Sequence, residues 1–226
     1  MVTLYVVATP IGNLEDMTDR ARRVLGEVDT VLCEDTRHTL QLMNHLGIRK
    51  PLLSYHQHSQ VQKVDQIITM LRQGKNLALV SDAGTPGLSD PGGVLVAQIV
   101  RELGSTVRIE PVPGATALGA IISVAGVPTD RFLFLGFLPH KNGRRSLFEE
   151  IKNSERTVIF YESTHRILKA MAILTEVLET DRQVVVGREL TKKFETIYRG
   201  SAQEVLKQLE AGETRGEFVV VVAGKL

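Results

Sequence analysis

Short apolar runs alternate with helically spaced segments through the first half of the chain, and no other feature narrows its possible folds as far. The runs fall at residues 4–8, 30–33, 51–54, 77–80 and 107–110, and the helical segments between them at 19–26, 36–46, 60–73 and 92–103. Val64, Ile67, Ile68 and Leu71 repeat at the i, i+3, i+4, i+7 spacing of a helix with one face in a core. Strand–helix alternation of this kind predicts an open parallel sheet covered on both faces, because parallel strands need crossovers and the crossovers become covering layers. Ligands of such sheets collect at the carboxyl ends of the strands. The loops 9–16, 34–38, 81–93 and 111–116 all belong at those ends.

The pattern changes near residue 120. Residues 117–125 read as a small-residue helix stopped by Gly126 and Pro128, followed by apolar runs at 132–137, 157–161, 183–188, 196–200 and 217–223. The segment 195–198 follows 184–188 too closely for a crossover helix, which predicts an antiparallel pair and a mixed sheet. Helices are expected at 144–151, 164–178 and 202–209. The expected organisation is two α/β domains, 1–120 with a mostly parallel sheet and 121–226 with a mixed one.

Composition excludes several classes of function. At 226 residues, 43% hydrophobic and 23% charged, the chain is long enough and apolar enough for real cores. Its net charge of +1 gives no global basic field, so a nucleic-acid partner needs a local patch. The single cysteine, Cys33, rules out an intramolecular disulfide and any multi-cysteine zinc site, and its apolar flanks mark a buried strand. No apolar run reaches membrane-spanning length and the first residues enter a strand, so a soluble, cytoplasmic protein is expected.

The loop 80–93 follows a buried strand and opens a helix, the arrangement of a small-molecule cradle. It carries no Lys or Arg and two acids, Asp82 and Asp90. Without the lysine of a phosphate-binding loop it suits a neutral or cationic ligand better than a triphosphate, and a nucleotide hydrolase is disfavoured. Asp82, nearest the strand end, is expected to face the ligand, and Asp90 to cap the following helix. The turn Thr9-Pro10-Ile11-Gly12-Asn13 lacks the glycines of a dinucleotide site, so Glu34 and Asp35 do not gain a ribose-binding role from their position some 20 residues on.

Further polar clusters close other strands. Asp35 is placed to cap the helix starting at Thr36, with Arg37 and His38 on its first turn able to meet an anion. In Tyr161-Glu162-Ser163-Thr164-His165-Arg166, Ser163 or Thr164 is a natural helix cap and Glu162 and Arg166 are spaced to pair. No G-x-S-x-G elbow accompanies them, which argues against a serine hydrolase. Lys141, Arg144 and Arg145 flank a glycine in a basic loop suited to phosphate contacts, which Lys152, Arg156, Lys192 and Lys193 would extend. His56 and His58 near Asp65 have no metal-specific spacing, and no metal is expected.

Several segments taken in order carry a resemblance. They are Ala8-Thr9-Pro10-Ile11-Gly12-Asn13, Cys33-Glu34-Asp35-Thr36-Arg37, Val80-Ser81-Asp82-Ala83-Gly84-Thr85-Pro86, Pro113-Gly114, Phe134-Leu135-Gly136-Phe137-Leu138-Pro139, Phe160-Tyr161-Glu162 with His165-Arg166, and Gly187-Arg188-Glu189-Leu190-Thr191-Lys192. Over essentially the whole chain they closely resemble the ribosomal-RNA-modifying branch of the tetrapyrrole methylase superfamily. The resemblance implies 2′-O-methylation of a cytidine in 16S rRNA of the small (30S) ribosomal subunit, S-adenosylmethionine as methyl donor, a homodimer, and a second domain that completes the cofactor cleft. It implies cofactor contacts at Pro10, Asp82, Ala83, Gly84, Thr85, Pro86, Gly114, Thr116, Ala117, Tyr161 and Arg188. Asp35, Glu162 and Glu189 are the candidate general bases, in no settled order. Arg37, His38, Lys141, Arg144, Arg145 and Arg166 are the candidate RNA contacts. The first loop departs from the more glycine-rich form of the tetrapyrrole branch, so that branch's cofactor contacts there do not transfer. Two other readings stay open: a superfamily methyltransferase acting on a tetrapyrrole or other small molecule, and a non-catalytic RNA-binding assembly factor.

Overall fold

A computed structural model describes residues 1–55, 61–141 and 143–225. The chain divides into two compact units, Met1–Thr116 and Ala117–Leu226.

The first unit is a five-stranded sheet of β1 (Val2–Val7), β2 (Thr30–Cys33), β3 (Leu52–Ser54), β4 (Leu77–Leu79) and β5 (Val107–Val112), in the order β3-β2-β4-β1-β5 with every pairing parallel. Its helices are α1 (Asp19–Glu27), α2 (Thr36–His45), α3 (Val61–Arg72) and α4 (Gly92–Leu103). Alternation along the strands divides the core between two faces. Leu4, Leu32, Leu77 and Leu79 pack with Ile67, Ile68 and Leu71 of α3 and Leu95, Ile99 and Leu103 of α4. Val7, Val31, Cys33, Ala78 and Val80 pack with Ala21, Val24 and Leu25 of α1 and Met43 of α2. The two-sided apolar coat is why β4, Leu-Ala-Leu, is buried at every position. Cys33 is buried and free, as its flanks predict, and burial pushes its thiol up.

This strand order contains a switch point. The connection from β1 runs to β2 on one side of the sheet, whereas the connection from β4 runs to β5 on the other. Loops leaving two neighbouring strands in opposite directions open a crevice at their carboxyl ends. In this unit those loops are the ones after β1 and β4.

The second unit begins with α5 (Ala117–Val124) and holds β6 (Phe132–Phe137), α6 (Arg144–Asn153), β7 (Thr157–Ser163), α7 (Ile167–Val177), β8 (Gln183–Arg188), β9 (Thr196–Ser201), α8 (Ala202–Ala211) and β10 (Glu217–Val222). Its sheet order is β6-β7-β10-β8-β9. Only β6 and β7 run parallel, and the pairing of β8 with β9 is the antiparallel one expected from their short connection. Val158, Phe160, Val184, Val186, Phe218, Val220 and Val222 form one apolar face, covered by Phe148 and Ile151 of α6, Met171 and Leu174 of α7 and Val205 and Leu209 of α8. Phe148, Phe160 and Phe218 are completely enclosed, each contributing about 1.5–3 kcal/mol by burial. Ser201 and Glu204 start α8 with a reciprocal capping box. Arg182 is buried by donating to the carbonyls of Ile151, Ser154 and Ala223, which closes the open end of α6.

Candidate active site

Four loops of the first unit meet at the carboxyl ends of its strands. Thr9, just past β1, and Gly84, past β4, form a single antiparallel bridge through backbone bonds of 2.9 and 3.1 Å. The buried Thr9 hydroxyl donates to the Ser81 and Gly84 carbonyls, and the Ser81 hydroxyl to those of Ala83 and Gly84. Thr85 Oγ1 donates to the Ala115 carbonyl at 3.1 Å, bringing in the loop after β5. Two glycines allow this closeness. Gly84 has φ +82°, and an added Cβ would lie 3.1 Å from Ile11 Cγ2 and 3.6 Å from the Ala115 carbonyl oxygen. A Cβ on Gly114 would lie 3.0 Å from that of Ala8. Backbone thus approaches backbone where side chains would hold it apart.

Carboxylates line the same rim. Asp82 Oδ1 accepts the Asp35 N–H at 3.1 Å, joining the end of β2 to the loop after β4. Asp90 Oδ1 accepts the N–H groups of Gly87 and Gly92, both at 2.7 Å, so it closes the loop and takes up the first N–H of α4, although the N-cap position itself is Pro91 and carries no side-chain cap. No Lys or Arg stands between Val80 and Gly93. Ala83, Gly87 and Gly114 leave backbone exposed there, and Pro10, Asp82, Thr85 and Thr116 are partly buried. Pro86 is buried. A set of acids and backbone groups, with no basic side chain in the loop, fits a cationic or neutral ligand.

Glu34 is the acid that the sequence reading passed over. It directly follows β2, is half-buried, and makes no hydrogen bond or ion pair among the described residues. Burial, then the negative charges of Asp82 and Asp90, push its carboxyl up to about 7. The signal available in the sequence was an acid directly after a fully buried strand, beside an acidic loop.

The three candidate bases chosen from sequence are all committed elsewhere. Asp35 caps α2 by accepting the Arg37 N–H at 2.8 Å and also accepts the Arg37 guanidinium at 2.7 and 3.1 Å; these bonds hold its carboxyl well below the usual range. Glu162, 1% exposed, lies between Arg144 at 3.0 Å and Arg166 at 2.7 Å and accepts the Ser163 N–H at 2.8 Å. Burial raises Glu189, but the Glu217 N–H and the Lys192 ammonium outweigh it, so its carboxyl ends up below the ordinary value. A carboxylate held by donors in its charged form is a weak proton acceptor.

Several cations expected at RNA or cofactor are likewise occupied. Arg144 is buried and not on a solvated basic loop, with its guanidinium on Glu162 and the Pro139 carbonyl and over the Phe148 ring at 5.4 Å. Arg166 donates to the Leu138 carbonyl and the Ser163 hydroxyl, besides its ion pair with Glu162. Arg188 is buried, donating to the carbonyls of Arg215 and Phe194. Each of these guanidiniums makes these bonds within its own unit. Neither Ser163 nor Thr164 caps α7 by a side-chain bond; Thr164 instead exchanges bonds of 2.7 and 2.8 Å with Gly216. Arg37, His38, Lys141 and Arg145 remain exposed. In the second unit, Ala117 opens α5, and Tyr161 stands edge-on to Phe134 and Phe137 with ring centroids 5.0 and 5.4 Å away. Glu189 and Thr191, in the turn after β8, hold positive φ angles of 50° and 66°.

Among the described residues no cluster of three or more His, Cys, Asp or Glu is placed to hold a metal ion, and no helix is long and apolar enough to cross a membrane. His56 and His58 lie outside the described residues.

Comparison with known proteins supplies the family. Residues 3–206 match the family described as Tetrapyrrole (Corrin/Porphyrin) Methylases. A curated relative named Ribosomal RNA small subunit methyltransferase I from Pseudomonas aeruginosa is 48% identical, covering 98% of this chain and 79% of its own. One of the same name from Thermotoga maritima is 41% identical with complete coverage of both. Among solved structures, diphthine synthase superposes with a TM-score of 0.74 at 13% identity, covering 99% of this chain and 90% of that one. Uroporphyrin-III C-methyl transferase from Thermus thermophilus, complexed with S-adenyl homocysteine, gives 0.65 at 20% identity, with coverages of 97% and 96%. With a family match across most of its length and relatives this similar end to end, the chain belongs to the tetrapyrrole methylase family.

Proposed function

We propose that this protein is an S-adenosylmethionine-dependent methyltransferase of small-subunit ribosomal RNA, and that it methylates the 2′ hydroxyl of a cytidine ribose in 16S rRNA. The observation that carries the reading is the lysine-free acidic loop 81–93, locked to the loops after β1 and β5 at the switch point of a parallel sheet. The names of the near full-length relatives support the RNA substrate.

S-adenosylmethionine, when bound, supplies a methyl group on a positively charged sulfur. The chain's part is to bind, orient and exclude water. Ala83, Gly87 and Gly114 offer exposed backbone to the adenosine and methionine portions, and Asp82 offers a negative charge without a neutralising lysine. Holding donor and acceptor in line supplies much of the acceleration, because the hydroxyl then reacts within one complex. Lys141 and Arg145, before and on α6, are exposed cations for phosphate contacts, and Arg37, paired with Asp35, and His38 are exposed on the first turn of α2. The family resemblance carries two further expectations, a homodimer and a cytoplasmic site of action, which sedimentation and fractionation test.

The decisive experiment incubates the protein with labelled S-adenosylmethionine and small subunits lacking the modification. Label recovered as a 2′-O-methylcytidine supports the reading. Label transferred to a porphyrinoid but not to RNA replaces it with the small-molecule reading. Salt-sensitive binding to subunits with no affinity for the methyl donor replaces it with an assembly factor.

A further inference from the structure

Resting on that reading, we propose that Glu34 takes the proton from the ribose hydroxyl as it is methylated. A neutral hydroxyl is a weak nucleophile, and a positioned base that accepts its proton typically contributes about 10²–10⁴-fold. In the step, the 2′ oxygen bonds to the methyl carbon, the carbon–sulfur bond breaks with its electron pair going to sulfur, and the proton passes to a Glu34 oxygen. Charge and atoms balance: a cationic sulfonium and a carboxylate become a neutral thioether and a carboxylic acid.

Three observations converge on this residue. The first is place. Glu34 stands at the carboxyl end of β2, which is paired with β4 through Leu32 and Leu79, so it lies beside the loop that carries Asp82. The Asp35 N–H bond to Asp82 fixes that proximity through the next residue of the backbone. The second is availability. Asp35, Glu162 and Glu189 are each held by cationic and N–H donors, Asp90 is spent on two backbone N–H groups, and Asp82 on one. Glu34 has no such partner among the described residues. The third is basicity. The charged groups facing Glu34 from the loop before α4 are Asp82 and Asp90, and on its own side Arg37 is neutralised by Asp35. An unpaired, half-buried carboxylate among acids holds a proton more tightly than a solvated one, which is what a base working near neutrality requires.

The test uses Glu34→Gln and Glu34→Asp in the full chain, with three measurements. In the first, thermal unfolding of the protein alone is followed against pH. The folded carboxyl titrates at about 7 against an ordinary value of 4.5, so the folded state binds the extra proton between those values. Wild-type stability from this group is then present below about 4.5 and is lost as pH rises through about 7. Glu34→Gln should match wild type near pH 4.5 and unfold at a higher temperature than wild type above pH 7. In the second, single-turnover methylation of the small subunit at saturating methyl donor should rise about tenfold per pH unit below 7 in wild type. Glu34→Gln should lose about 10²–10⁴-fold and the pH dependence with it, while Glu34→Asp keeps the rising limb at a reduced rate. The third is the dissociation constant for S-adenosylmethionine, expected to change only a few-fold. A Glu34→Gln rate within threefold of wild type, a persisting limb, or a loss confined to donor affinity overturns the assignment. Wild type that binds no methyl donor and methylates no RNA overturns instead the reading on which it rests.

Discussion

Replacing Glu162 by Gln should destabilise the second unit by about 3 kcal/mol, toward the lower end of the cost of breaking a buried ion pair. Glu162 is 1% exposed: its Oε1 accepts the Ser163 N–H and is ion-paired with Arg166 Nε, and its Oε2 accepts an Arg144 nitrogen. A glutamine oxygen can keep the first two. Its NH₂ group must then face the Arg144 guanidinium, donor against donor, and two arginines lose their shared negative charge. The arginine side chains are 10% and 16% exposed, so water recovers part of the loss. The assay is hydrogen exchange at β7 amides, which lie in the strand that ends in the triad and pair with β10 and β6. A cost of 3 kcal/mol appears there as exchange roughly 100-fold faster. A double-mutant cycle with Arg144→Met separates charge pairing from general disruption, because Glu162→Gln should cost less once one arginine is gone. An effect below about 1 kcal/mol, or a cycle additive within about 0.5 kcal/mol, would refute the view that the triad is an interdependent unit.

Other perturbations test the rest of the site. Gly84→Ala should raise the dissociation constant for S-adenosylmethionine at least tenfold and cost about 1–2 kcal/mol, because φ of +82° disfavours any side chain and Ile11 must yield; unchanged calorimetric affinity would remove this loop from the pocket. Asp90→Asn keeps an oxygen for the Gly87 and Gly92 N–H groups but removes a charge facing Glu34, so the rising limb of the methylation rate should move to lower pH; an unmoved limb would break the link between these two acids. Lys141→Glu with Arg145→Glu should weaken binding to the small subunit and flatten its salt dependence while sparing donor affinity, whereas unchanged subunit affinity would make those residues an ordinary solvated surface.

The fold was legible where a local rule decided it. Val64, Ile67, Ile68 and Leu71 announced the core face of α3 through spacing alone, and all but Val64 are buried in one core cluster. The short connection between β8 and β9 excluded a crossover and hence parallel pairing. Asp35 was readable as a helix cap because capping needs only an acceptor two or three residues ahead of free N–H groups. Arg144 was misplaced for the opposite reason. In sequence it is one of two adjacent arginines after a glycine, which reads as a solvated run. In the structure α6 turns Arg144 inward to Glu162, a residue 18 positions away, and leaves Arg145 exposed. Helical phase decided between the two, and the acid on β7 that rewards it belongs to a different element.

Glu34 and Glu162 show why candidate bases cannot be ranked from local sequence. Each is an acid at or just past the end of a strand whose preceding residues are buried, and each is followed by a polar cluster and a helix. Glu162 meets two guanidiniums and a backbone N–H, which engage its carboxylate within its own unit. Among the described residues Glu34 meets two acids and no donor, and burial with those charges pushes its carboxyl up. Of the partners that make this difference, Arg144 arrives from α6 and Asp82 and Asp90 from the loop between β4 and α4. The same contrast predicts opposite signs for one substitution: Gln at 162 removes a satisfied charge and should destabilise, whereas Gln at 34 removes an unsatisfied one and should stabilise above neutrality. A residue whose neutralisation strengthens the fold while stopping the reaction marks where the protein sustains strain for chemistry, and that pairing of outcomes is what a purely structural acid cannot give.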